Sequence, residues 1–229
     1  MAVRLFLAGA TGAIGRRLIP LLLDAGYEVY GMTRVPEKAR DLNLIGVRGV
    51  VVEGLDAAAL HDAVVAVRPE IVVHQLTDLP QHNDPALRAA TADRNARIRT
   101  EGTANLVNAA LAASARRIVA QSIAFAYAEG PEPHVETDPL DAKTRSSVIT
   151  LERLVMQSPP LEGVVLRYGT LYGPGTWYDK PEGLCPVHID AAARATLLAI
   201  QYPGTGIFNI AEEYGYVSSA KAHAELGWP

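Results

Sequence analysis

The sequence predicts an α/β fold, a doubly wound parallel sheet with helices on both faces and a small C-terminal lobe. Three observations predict it. Short runs rich in β-branched residues alternate with helical patterns along nearly the whole chain. The runs are continuously apolar, as strands buried on both faces are. And the glycine-punctuated stretch LAGATGAIG (7–15) follows the first run and opens a helix.

The expected strands are RLFLAG (4–9), EVYGMT (28–33), GVVVEG (49–54), EIVVHQLT (70–77), RRIVAQS (116–122) and VVLRYG (164–169). The first helix carries Ile14, Leu18 and Leu22 at helical spacing and ends at Gly26. Pro20 lies inside it, removes one backbone bond and is expected to kink it. AAALHDAVVAV and EGTANLVNAALAAS read as further helices. The segment EGPEPHVETDPLDAK (129–143) is an acidic, proline-bearing loop rather than a domain boundary. A main domain over residues 1–172 and a reduced lobe over 173–229 are expected, with 187–210 packing back onto the main domain.

Composition excludes several classes. With 229 residues, 49% of them hydrophobic, the chain buries a large core. A formal charge of −4, its signs mixed along the chain, leaves no basic stripe for nucleic acid. Cys185 is the single cysteine, so neither a disulfide framework nor a metal-ligand cluster is expected. The N-terminal run AVRLFLAGATG fails as a signal peptide and as a membrane span, which predicts a soluble, cytoplasmic protein with no membrane partner.

In LAGATGAIG, Gly9 permits the tight turn and Gly12 lets the backbone approach a pyrophosphate. Gly15 brings the helix close to the strand, and Thr11, Ala13 and Ile14 complete the cradle at the helix N-terminus. The second run ends on Thr33 and Arg34, where an acidic residue would grip the ribose of NAD. An arginine there suits a 2′-phosphate, so NADP is the expected cofactor, with NAD as the alternative. Glu53 ends the third run, placed to meet the adenine edge.

The chain resembles the extended branch of the short-chain dehydrogenase/reductases, the NAD-dependent epimerase/dehydratase family, as an atypical member. Besides GATGAIG, the resemblance rests on VVHQLT, EGTANLV, RRIVAQSIAFAY, LRYGTLYGPG, VHIDAAARA, GIFNIAE and the terminal ELGWP, in that order. It implies a Rossmann-type domain holding NAD(P) and a lobe closing over a small-molecule substrate. Leu76, Thr77, Gln121, Tyr168, Gly169 and Thr170 are the further cofactor contacts it implies. Dimerisation through the long helices, common in that family, is implied as well.

Two departures from the family pattern matter. Its Tyr-x-x-x-Lys pair is missing, because alignment on Leu151 and Glu152 puts Thr144 and Val148 at those positions and no such pair occurs elsewhere. The lobe is also short, with only TWYDKPEGLC between Gly175 and Pro186. A minimal lobe and segments missing from the sequence are both open readings. Without the tyrosine, Ser122 and Tyr127 are the candidate catalytic hydroxyls, beside Tyr168 and Thr170. His82 in TDLPQHND and the aromatics Tyr172, Trp177 and Tyr178 are the candidate substrate contacts. Each has a structural alternative: Ser122 bonded to local backbone, Tyr127 and the other aromatics packed, His82 solvated. His74, His188 and Arg167 are read as structural, His188 as a helix N-cap and Arg167 as half of a buried salt bridge.

The expected function is an NAD(P)H-dependent oxidoreductase transferring hydride to a flat conjugated carbonyl or quinone. A delocalised oxyanion needs hydrogen bonds more than an immediate proton. The alternatives are a non-catalytic NAD(P)-sensing regulator and a nucleotide-sugar epimerase or dehydratase.

Overall fold

The computed structural model describes residues 2–80 and 82–229. The first half runs β1 (Arg4–Ala8), α1 (Ala13–Asp24), β2 (Glu28–Thr33), α2 (Pro36–Leu44), β3 (Arg48–Val51), α3 (Ala57–Val67) and β4 (Ile71–His74). Next, α4 (Pro85–Arg97) continues through a π-helical turn, Ile98–Gly102, into α5 (Thr103–Ala112). Then come β5 (Arg117–Ile123), α6 (Ser146–Met156), β6 (Glu162–Tyr168), β7 (Thr170–Tyr172), β8 (Pro186–His188), α7 (Ile189–Gln201) and β9 (Gly206–Ile210).

Seven parallel strands form one sheet in the order β3-β2-β1-β4-β5-β6-β9, while β7 and β8 pair separately. The period of two along β1 divides the core. Leu5 and Leu7 face α1 and α7 on one side; Phe6 and Ala8 face α3, α5 and α6 on the other. This is the expected doubly wound fold. The order of strand addition reverses at β1, so the carboxyl ends of β1 and β4 flank a topological switch point, where such sheets bind ligands.

Two expected strands end early. The third stops at Val51 rather than 54, the fourth at His74 rather than 77. Ala8 is in register with His74, and the next residue, Gly9, turns away at φ +91°. Residues 75 to 77, past the last β1 partner, are loop at the crevice. Helix α1 runs through Pro20 for another turn. His188 caps α7, its Nδ1 accepting the Asp190 N–H at 3.3 Å.

His74 locks β4 to α5. Its Nδ1 accepts the Leu76 N–H at 3.2 Å, which leaves the proton on Nε2 for Thr103 Oγ1 at 2.8 Å. Burial lowers its pKa from 6.5 to about 4. As pH falls below 6.5 the unfolded chain takes up this proton first. The contribution is therefore complete above pH 6.5 and is lost as pH falls to about 4, a change of about 3 kcal/mol. Urea unfolding at pH 7 and 4.5 should show a larger drop in the wild type than in His74→Gln, and equal drops would refute the assignment.

Arg117 is buried at the start of β5. It bonds Glu162 and the carbonyls of Ala199, Ile200, Tyr202 and Gly204, closing the C-terminus of α7. Nothing local in RRIVAQS announces those partners, which lie 45 to 87 residues away.

Candidate functional site

The glycines after β1 divide into two kinds. A Cβ at Gly9 would lie 2.5 Å from the Gln75 carbonyl oxygen, and one at Gly15 would collide with that of Gly9. Both glycines serve the close approach of strand, turn and helix. Gly12 differs: it is exposed, and a Cβ there would meet only the Gly9 oxygen, at 3.2 Å. It is also the N-cap of α1, with no side-chain cap, and Thr11 and Ala13 flank it half-buried. The first-turn N–H groups, with Ile14 and Gly15 packed beneath them, thus have no side-chain cap, the arrangement that suits an oxyanion at a helix N-terminus.

Across the crevice, Gln75 is 6% exposed and neither atom of its side-chain amide has a hydrogen-bond partner among the described residues. Such a group costs about 1–3 kcal/mol. Its backbone and Cβ lie against Gly9, and its amide lies toward the Tyr168 hydroxyl. Leu76 and Thr77 follow it, half-buried.

Beyond β2 and β3, Thr33 is buried, its hydroxyl accepting the Val35 N–H at 3.3 Å. Arg34 is 57% exposed but not free. It pairs with Asp78 at 3.1 Å and Glu53 at 3.8 Å, and Arg94 joins the same carboxylates at 3.3 and 2.9 Å. Glu53 is therefore held by two guanidinium groups rather than offered alone to an adenine edge. Asp78 and Arg94 were not legible as members of this site, because only the fold brings the loop after β4 and α4 beside the end of β2.

The candidate catalytic hydroxyls lie inside the protein. Ser122 is buried and donates to Glu152 Oε1 at 2.6 Å. That carboxylate receives Arg167 bidentately, at 2.9 and 2.7 Å. Arg167 also donates to the Tyr127 hydroxyl at 2.8 Å, and Tyr127 donates to Asn209 Oδ1 at 2.7 Å. Burial raises the Tyr127 pKa, and its ring stacks on buried His134 at 4.8 Å. Both hydroxyls are thus tied into one internal network joining β5, α6, β6 and β9. The bidentate Glu152 pair is the buried partner expected for Arg167.

Tyr168 is buried as well. Its ring lies in the core, its hydroxyl bonds Thr196 of α7 at 2.7 Å, and burial raises its pKa. Gly169 and Thr170 hold backbone bonds to Ile210 and Cys185, and a Cβ at Gly169 would strike the Cys185 carbonyl. Gln121, half-buried, alternates with Ser122 onto the opposite face of β5. Cys185 is no nucleophile at neutral pH, its thiol pushed up to about 12 by burial.

The substrate candidates separate. Trp177 Nε1 donates to the Pro80 carbonyl at 2.8 Å, and Asn83 donates to the Tyr178 hydroxyl at 2.8 Å. The loop bearing exposed His82 and the aromatic loop therefore meet, although Gln81 between them lies outside the described residues. Tyr172 meets Tyr178 through a backbone β-bridge, but its side chain turns away. It donates to Glu212 at 2.7 Å, which raises its pKa to about 12, and packs edge-on against His188. At the family's tyrosine position, Thr144 donates to the Asp141 carboxylate at 2.5 Å, and Val148, at the lysine position, is buried.

The sequence matches the NAD dependent epimerase/dehydratase family over residues 5–208. The chain belongs to that family. A Streptomyces protein named 3-diazoavenalumate denitrifying reductase is 42% identical, over 92% of this chain and 76% of that protein. Among solved structures, UDP-glucose 4-epimerase of Thermotoga maritima with UDP-glucose superposes at a TM-score of 0.80, with 19% identity over 99% of this chain and 93% of that one. UDP-glucose 4-epimerase of Brucella ovis with NAD gives 0.79, with 17% identity over 100% and 93%. Within this family the chain is an NAD(P)-dependent oxidoreductase. No helix among the described residues is long and apolar enough to cross a membrane.

Proposed function

We propose that this oxidoreductase reduces a flat conjugated electrophile whose product forms without a proton from the enzyme. The carrying observation is that the three hydroxyls at or beside the family's catalytic positions are already engaged. Ser122 and Tyr127 belong to the Arg167–Glu152 network, and Thr144 is held by Asp141. A general acid typically contributes roughly 10²–10⁴-fold to an ordinary ketone reduction. Quinones escape that requirement, since the reduced oxyanion is delocalised. So does an aryl diazonium, which takes up hydride and leaves as arene and dinitrogen; the diazo compound in the Streptomyces relative's name favours this class.

The Gly9–Gly15 turn and the α1 N-terminus fit a pyrophosphate, and the unpaired Gln75 amide fits a polar group of the same dinucleotide. Reduced nicotinamide bound in that crevice would supply hydride. The chain's own part is to position the cofactor, exclude water and hold a flat substrate, with Trp177 and Tyr178 one wall of its pocket. Nicotinamide absorbance, followed with quinones, an aryl diazonium salt and simple ketones, tests the reading. Oxidation confined to the first two classes is expected; equal turnover of simple ketones would refute it.

NADP remains the preferred cofactor. Arg34 stands at the end of β2, and a 2′-phosphate would compete with Asp78 and Glu53 for its guanidinium. Arg34→Ala should weaken NADPH roughly tenfold and leave NADH within about threefold. Equal losses would remove the preference.

A further inference from the structure

We propose that Arg99 and Arg145 form an anion-binding pair at the substrate end of the crevice, taking the carboxylate of a flat conjugated substrate. The inference rests on the reading of the β1–β4 crevice as the cofactor site.

Arg99 lies in the π-helical turn 98–102, which the Thr103 to His74 bond anchors beside the end of β4. Arg145 immediately precedes α6, its carbonyl accepting the N–H groups of Val148 and Ile149 at 2.9 and 3.0 Å. Helix α6 packs against the π turn and carries Glu152 to Ser122 on β5. Both guanidinium groups therefore belong to elements framing the carboxyl ends of β4 and β5.

Their lack of partners sets them apart. Among the described residues, neither side chain makes a hydrogen bond or ion pair. The other arginines without one, Arg16, Arg68, Arg88, Arg153 and Arg194, are exposed, whereas Arg99 and Arg145 are half-buried. Of the acids on the same segments, Glu101 is held by Arg97 at 2.8 and 2.9 Å, and Asp141 by Thr144 and the Lys143 N–H, with the Arg145 charge acting on Asp141 only through space. Burial and the charge of Arg145 together push Arg99 below the usual guanidinium range. Two partly desolvated like charges oppose folding unless an anion joins them. A planar carboxylate matches the guanidinium fork. The pyrophosphate is provided for elsewhere, at the α1 N-terminus.

Calorimetric titration of the wild type, Arg99→Gln and Arg145→Gln with trans-cinnamate, methyl cinnamate, inorganic phosphate and NADPH tests the pair. Cinnamate should bind the NADPH-loaded wild type at least tenfold more tightly than its ester or phosphate. Each variant should lose roughly 10- to 100-fold of that affinity. NADPH affinity should stay within threefold, and the melting temperature should be unchanged or higher, since an unpaired charge has gone. Absent cinnamate binding to the wild type, unchanged cinnamate affinity in both variants, or a parallel loss of melting temperature overturns the proposal. So does a matching loss of NADPH affinity, which would assign the pair to the cofactor. A wild type that binds cinnamate through the pair but not NADPH refutes the cofactor reading and leaves the pair standing.

Discussion

Gly12→Val is expected to abolish measurable NADPH binding in a protein that still folds. The surroundings of the residue separate the two effects. Gly12 is exposed at the mouth of α1, and a Cβ there meets only the Gly9 oxygen, at 3.2 Å. The isopropyl group would project where the pyrophosphate must approach, and several charge-assisted N–H bonds would be lost together. At roughly 1.5–3 kcal/mol each, two of them already amount to more than about 100-fold in affinity. Gly15→Val makes the contrast. Its Cβ would collide with the Gly9 carbonyl, so that variant should fail to accumulate as folded protein. Fluorescence titration with NADPH and a thermal melt of each variant check the pair; Gly12→Val with wild-type affinity would refute the site.

Arg167→Leu should lower stability by about 3–5 kcal/mol, because it strands Glu152 as an uncompensated buried charge. At roughly 2–4 °C per kcal/mol, the melting temperature falls on the order of 10 °C. More than the ion pair is lost. Arg167 also donates to Tyr127 and to the Glu136 carbonyl, and through Tyr127 it reaches Asn209 on β9. Arg167→Leu with Glu152→Leu should recover part of the loss, since the stranded charge goes too. Thermal and urea melts of the single and double variants decide this. A single variant as stable as the wild type would show that the network carries no energy.

The strands, the glycine turn and the cap at His188 were legible because their physics is local. Alternation, a bare Cα and a side chain reaching its own helix's N–H groups each involve neighbours within a few positions. Loop 129–143 shows where locality fails. Its acidity and prolines read as solvent-facing, yet His134 is buried under Tyr127, and Glu136 accepts the Asn209 N–H at 2.8 Å across 73 residues.

By itself the sequence determined the doubly wound sheet, the position of the glycine turn after β1, the family and the absence of a Tyr-x-x-x-Lys pair. Only the tertiary structure decided the partner of each polar group. It drew Ser122 and Tyr127 into an internal network, joined Arg34 to Asp78 and packed the π turn that carries Arg99 against α6, which Arg145 precedes. The physical reason is that backbone conformation follows from short-range sterics and periodicity. A charge or a hydroxyl instead bonds whatever the fold carries within about 3 Å of it.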